Sequence, residues 1–221
     1  MSVFDRAAAH IRSISPYQPG KPISELAREM GLEESSIVKL ASNENPLGMS
    51  PHARAAALAA IDEVPRYPDG NGFELKQALM RHHDIGMDQI VLGNGSNDVL
   101  EMVARALLGP GCSAVYSKHA FAVYPLATLA AGAFGIEVPA RNFGCDPDAM
   151  RDAIRDDTRV VFIANPNNPT GTFVEAAALE RFVASVPADV LVVLDEAYSE
   201  YLPAHLAYDS ARWLARYPNL L

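Results

Sequence analysis

Cysteine is nearly missing from these 221 residues: Cys112 and Cys145 are the only two, far apart and without paired-ligand spacing. That scarcity excludes a disulfide framework, argues against structural zinc and points to a reducing compartment. Long apolar runs are missing as well, and no stretch approaches the ~20 apolar residues of a membrane span. The opening "MSVFDRAAAHIRSI" carries Asp5 and no continuous apolar core, so it does not read as a secretory signal, and the expected setting is the cytoplasm. Positive charge is short: 18 Lys and Arg against 27 Asp and Glu leave a net charge of −9. That balance argues against a nucleic-acid or anionic-membrane partner, while a local basic pocket for a phosphorylated small molecule stays compatible with it. Lysine is scarcest, with Lys21, Lys39, Lys76 and Lys118 and none beyond. There is no internal repeat and no low-complexity tract, although residues 53–60 are rich in alanine.

What is present is the composition of a globular chain, 49% hydrophobic and 20% charged, enough for one large domain or one domain plus part of another. The first part reads as an arm, with a short amphipathic helix near Val3–Ile14, a break at "SPYQPGKP" and a helix near Ile23–Met30 ended by Gly31. "IVKLASNENPLGMSP" predicts a short strand followed by turn chemistry, and helices are expected over Pro51–Ile61 and Gly72–His82. From there strands and helices alternate. "QIVLGN", "SAVYS", "GAFGIEVP", "RVVFIAN" and "DVLVVLDEAY" read as strands, separated by helices after Gly95 and near 124–131, 148–155 and 175–185, with a last helix over Leu206–Arg216. Such alternation implies an α/β fold with a mostly parallel sheet, in which ligands gather beyond the carboxyl ends of the strands. The chain divides in this reading into residues 1–45, an arm and small-domain segment, and residues 46–221, a large domain.

Three stretches at those carboxyl ends carry chemistry. "LGNGSND" follows a predicted strand and opens a helix; Gly93 and Gly95 permit a tight turn, and amides near Ser96 and Asn97 suit a phosphate. Taken alone it reads equally well as an ordinary strand-to-helix turn, and Asp98 stands where a dinucleotide fingerprint needs its third glycine. "NPNNPTG", Asn165–Gly171, is more specific: two Asn-Pro pairs and a Thr-Gly make a rigid loop that can hold an Asn amide still, aimed at a ligand oxygen. "VVLDEAYSEYL" places Asp195 and Glu196 at the end of a strand too apolar to want them, so Asp195 needs a partner.

In that order these motifs resemble those of fold-type I pyridoxal-phosphate aminotransferases. "PYQPGKPI", "VKLASNENPLG" and "RYPDGNGFELKQAL" narrow the resemblance to the histidinol-phosphate aminotransferase family, over nearly the whole chain from Pro16 to about Tyr201. The resemblance implies a three-layer large domain, incomplete at its C-terminus, that binds pyridoxal 5'-phosphate. It implies that Asp195 pairs with the pyridine nitrogen and that Tyr198 and Asn168 donate to the ring's phenolic oxygen. Phe121 is then the aromatic on the ring face, with ordinary core packing as its plain alternative. The phosphate is expected on the amides of Gly95, Ser96 and Asn97, with Tyr67 of "RYPDGN" reaching it from the neighbouring subunit of a homodimer. Tyr17 and Asn45 resemble residues near the substrate, and arm packing explains them nearly as well. No metal site is implied, and Glu196 is given no chemistry.

Amino transfer also needs a lysine amine, as Schiff-base carrier and proton shuttle. In the family that lysine follows the helix after the Asp strand, whereas here no lysine follows Lys118. Lys118 of "SK" precedes both the Asn and the Asp strands and reads as a surface lysine. The expectation is therefore an N-terminal portion of the enzyme, inactive alone, within a protein that moves an amino group between L-histidinol phosphate and 2-oxoglutarate in histidine biosynthesis. An aromatic amino-acid aminotransferase or a threonine-phosphate decarboxylase on the same scaffold is the close alternative. A non-catalytic remnant is another, and a nicotinamide-dependent oxidoreductase is disfavoured by the missing third glycine.

Overall fold

The computed structural model describes residues 3–221, which divide into two compact units: the residues up to Ile14 together with Glu74–Leu221, and Ser15–Phe73. The first unit opens on a single 3-10 turn, Phe4–Arg6, and a one-turn helix, α1 (Ala9–Arg12), where a continuous helix from Val3 to Ile14 is predicted. The second unit holds α2 (Ile23–Met30) and α3 (Pro51–Ala60). Gly31 ends α2 in the left-handed conformation at φ 64°, so that Leu32 N–H donates back to the Ala27 carbonyl at 3.0 Å. Ile37–Leu40 is not a strand: Ile37 has extended dihedrals, but no neighbouring strand pairs with it among the described residues. Extended backbone becomes a strand only where a partner takes its hydrogen bonds.

The rest of the first unit begins with α4 (Phe73–His83) and continues through α5 (Ser96–Leu107), β1 (Ser113–Ser117), α6 (Val123–Ala130) and β2 (Phe134–Val138). Then come α7 (Pro147–Asp152), β3 (Thr158–Ala164), α8 (Ala176–Ser185) and β4 (Leu191–Asp195). All strand pairs are parallel, in the order β2-β1-β3-β4. The predicted first strand, "QIVLGN", is extended at Ile90 but has no strand partner among the described residues, as with Ile37–Leu40.

Two-residue alternation along the strands builds the layers. Val160, Phe162 and Ala164 of β3 face α5 and α6, packing with Leu100, Val103, Ala104, Tyr124 and Ala127. Val161 and Ile163 face the opposite layer, with Met150 of α7 and Leu179, Phe182 and Val183 of α8. The three-layer α/β expectation is met. Because Val193 of β4 lies on the α5/α6 side and Val192 on the other, the alternation turns Asp195 toward α5 and α6.

After β4 the predicted last helix, Leu206–Arg216, is reduced to one 3-10 turn, Ser210–Trp213. Tyr208 and Trp213 explain why: their rings stack at 5.6 Å and 20°. On a helix, residues five apart point about 140° from each other, so the stacked pair and a helix are incompatible. The chain then returns parallel to β4, with Leu221 N–H donating to Val192 O at 2.9 Å and Leu194 N–H to Leu221 O at 2.8 Å.

Candidate active site

β1 and β3 are neighbours, while the connection from β1 runs outward to β2 and back, so the sheet reverses its winding direction between them. A crevice opens beyond the carboxyl ends at such a point. The loops that leave β1 and β3 are tied across it by Asn167, whose Nδ2 donates to His119 O at 2.7 Å and to Thr170 Oγ1 at 2.8 Å. Asn168, the residue expected to face a ligand, is half-buried beside it, and both Asn-Pro bonds of the loop are cis.

Asp195 closes β4 in register with Ala164, the last residue of β3. Among the described residues its carboxylate accepts from Tyr124 Oη, to Oδ2 at 2.8 Å, and from Ala197 N–H, to Oδ1 at 3.2 Å. The partner demanded by the sequence therefore exists within the chain, and it is Tyr124. That residue is fully buried, stacked on Phe162 at 5.0 Å and 5°, with Phe121 edge-on at 5.9 Å and 90°. Burial, and then the charge of Asp195, push the Tyr124 phenol well above the ordinary tyrosine range, which keeps it a donor. Sequence reasoning missed Tyr124, although a tyrosine inside the apolar helix "VYPLATLA" signals a buried hydroxyl that must find an acceptor.

The glycine turn sits on the same side. Gly95 precedes α5 at φ 73° with extended ψ, a conformation that suits glycine, and its N–H donates to Gly93 O at 3.0 Å. Gly93 is needed for closeness, since a Cβ there would lie 2.8 Å from Asp98 Cβ. The Asp98 carboxylate takes the Asn94 amide and Nδ2 at 2.9 and 3.0 Å, which fixes the turn. Ser96 and Asn97 open the helix, where first-turn N–H groups have no acceptor inside the helix. One cleft of about 200 Å³ is lined by Ser96, Val99 and Leu100 of α5, by residues 193–197 at the end of β4 and by Leu221, so the start of α5 and Asp195 share a wall.

Other expected site residues are placed as follows. Tyr198 is half-buried just after β4, with Tyr201 6.5 Å away, and Phe121 is half-buried against the α5/α6 core. In the Ser15–Phe73 unit, Tyr67 and Tyr17 are exposed, and Asn45 spends its side chain locally, Oδ1 accepting from Leu47 N–H and Nδ2 donating to Gly48 O, both at 3.0 Å. Lys118 is exposed directly after β1. Ser210 Oγ donates to the Glu196 carboxylate at 2.5 Å, and burial raises that carboxyl above the usual range. Among the described residues no group of acidic, His or Cys side chains is placed to hold a metal ion, and no helix is long and apolar enough to cross a membrane.

Known proteins resemble this chain closely. A histidinol-phosphate aminotransferase of Nitrosospira multiformis is 66% identical over 221 residues, all of this chain and 56% of that protein. One from Thiobacillus denitrificans is 63% identical over 215 residues, 97% of this chain and 56% of its own. The crystal structure of histidinol-phosphate aminotransferase from Sinorhizobium meliloti, in complex with pyridoxal-5'-phosphate, superposes with a TM-score of 0.85 at 27% identity, covering 99% of this chain and 58% of that one. The chain thus spans a little over half the length of the relatives it matches. A family model for class I and II aminotransferases matches residues 35–221, so the chain belongs to that family.

Proposed function

We propose that this chain belongs to a pyridoxal-phosphate-dependent enzyme that transfers an amino group between L-histidinol phosphate and 2-oxoglutarate, in the cytoplasm and in histidine biosynthesis. The observation that carries the reading is Asp195. Its two oxygens offer about four lone-pair sites, of which Tyr124 and Ala197 take one each, so the carboxylate is fixed yet can still receive a ring N–H. That spare capacity, at the carboxyl edge of a parallel sheet and sharing a cleft with a helix N-terminal turn, fits a flat heterocycle with a phosphate. The cofactor, when bound, supplies an electron sink for the pair left on loss of the substrate's α-proton.

The protein's part is to hold and orient. In this reading Asp195 keeps a proton on the ring nitrogen, Tyr198 and Asn168 donate to the phenolic oxygen, and Phe121 covers a ring face. Ser96 and Asn97 offer amides to the phosphate; Gly95 can do so only by giving up its bond to Gly93 O. Residues 1–45 form the arm and small-domain segment of this reading and 46–221 the large domain. Tyr67, exposed in its own unit, would reach a second copy's phosphate in a homodimer, while Tyr17 and Asn45 would lie near substrate, Asn45 after leaving its local turn. The family relatives and the 66% identity to a named histidinol-phosphate aminotransferase support the substrate pair.

The test is amino transfer by the full-length protein, followed as glutamate formed from 2-oxoglutarate with L-histidinol phosphate as donor. Asp195→Ala should lose several orders of magnitude in turnover, and Asp195→Glu should retain more than Ala does. Near-wild-type turnover of the Ala variant would refute the pyridinium role.

A further inference from the structure

Asn165 stands at the mouth of the "NPNNPTG" loop and is fully buried, with every side-chain polar group engaged. Its Nδ2 donates to Val174 O at 3.1 Å and to Tyr208 Oη at 3.0 Å, and its Oδ1 accepts from Val174 N–H at 2.8 Å. Its backbone N–H donates to Asp195 O at 3.0 Å. One side chain therefore clamps the two ends of the loop together, residue 165 to residue 174, while its backbone ties that junction to Asp195. Tyr208 arrives from the far side of β4. Its hydroxyl accepts from Asn165 Nδ2 and donates to Asn165 O, 3.3 Å away, and the Glu196 carboxylate lies near enough for its charge to act on the phenol. Glu196 is held in turn by Ser210 Oγ, and the Tyr208 ring is fixed between Trp213 and Phe173.

We infer that Tyr208, hydrogen-bonded to Asn165 and held by its ring stack on Trp213, is a positioning residue that sets the loop carrying Asn168 against the end of β4. The inference rests on the proposed cofactor-binding reading, because Asn168 is where the positioning would be felt. The loop from residue 165 to residue 174 can close in many ways; a fully satisfied buried amide selects one, since any other closure strands polar groups away from water. The Asp-Glu pair at the end of β4 then has divided duties: the Asp195 carboxylate takes the Tyr124 hydroxyl, and the Glu196 carboxylate takes Ser210 Oγ. Nothing in this assignment requires Tyr208 to touch a ligand.

The test is a double-mutant cycle in the full-length protein, read by equilibrium dialysis against pyridoxal 5'-phosphate. Tyr208→Phe keeps the ring and its stack and removes only the hydroxyl; it should weaken cofactor binding about tenfold. Asn168→Ala should weaken it to a similar degree, and the double variant should be scarcely weaker than Asn168→Ala, because Tyr208 acts through that loop. Glu196→Gln, which leaves the hydroxyl in place, should weaken binding in the same direction by about threefold, and it covers the case of a Tyr208→Phe chain that does not fold. Additive losses would mean a general effect on the fold and would overturn the positioning role, as would unchanged binding in Tyr208→Phe or in Glu196→Gln. Unchanged binding in Asn168→Ala, with a loss in Asp195→Ala, would remove Asn168 from the cofactor site and this inference with it, leaving the Asp195 reading standing. Unchanged binding in Asp195→Ala would instead refute the reading itself.

Discussion

Replacing Tyr124 by Phe removes one oxygen from a fully buried residue and leaves the ring where it is, stacked on Phe162 with Phe121 at its edge. The lost interaction is the 2.8 Å bond to Asp195 Oδ2. A hydrogen bond to a charged acceptor contributes roughly 1.5–3 kcal/mol. Two effects reduce the net cost. The phenol hydroxyl no longer has to be desolvated, and Asp195 is only half-buried, so water can replace part of the bond. A destabilisation of about 1–2 kcal/mol is therefore expected. The assay is urea unfolding of wild type, Tyr124→Phe, Asp195→Ala and the double variant, which isolates the pair from changes made elsewhere. The coupling should be about 1–2 kcal/mol and hold from neutral pH up to the ordinary tyrosine value of 10.0. The sign follows from the direction of the shift. A phenol whose folded value is raised contributes stability that is full below 10.0 and is lost as pH climbs from there through the folded value. Wild type should thus lose stability above pH 10.0 faster than Tyr124→Phe does. Coupling below about 0.5 kcal/mol, or the same alkaline profile in both proteins, would refute the pairing.

The 221-residue chain by itself should show no transaminase activity, since none of its four lysines follows Asp195; borohydride reduction with pyridoxal phosphate and peptide mapping should find no stoichiometric adduct, and one on Lys118 would overturn this. If Tyr67 reaches a second copy, corefolding full-length Tyr67→Phe with Asp195→Ala should restore about a quarter of all sites over the unmixed controls, and no gain would end the shared-site idea. Cys145 should resist iodoacetamide in the native protein, because burial pushes its thiol up to about 11, while unfolding should expose it to rapid labelling; fast native labelling at pH 8 would contradict that burial.

Much of the architecture is written in local pattern. Val160–Ala164 and Leu191–Leu194 are apolar at every position because both faces of these parallel strands are packed, and no helix-period pattern competes there. The glycines of "LGNGSND" and the prolines of "NPNNPTG" restrict the backbone wherever they stand, so the turns they make are legible without knowledge of neighbours. Family membership follows from the order of such stretches, which survives any uncertainty about packing. The segments at Ile37–Leu40 and Ile90–Gly93 show the opposite case. Their sequences favour a strand, yet a strand is a relation between two segments, and whether a partner lies alongside is not a local property. Leu206–Arg216 has the periodicity of a helix, but the Tyr208 hydroxyl is claimed by Asn165 and its ring by Trp213, and those distant contacts outweigh propensity. Asp195 joins the two. Its sequence alone says that a carboxylate at the end of a buried strand needs a partner, because charge is costly out of water. Only the tertiary structure decides that the partner is Tyr124, 71 residues earlier. The two-residue alternation of β4 turns Asp195 to the side where α6 lies, and no spacing in the sequence records which helix the sheet will meet there.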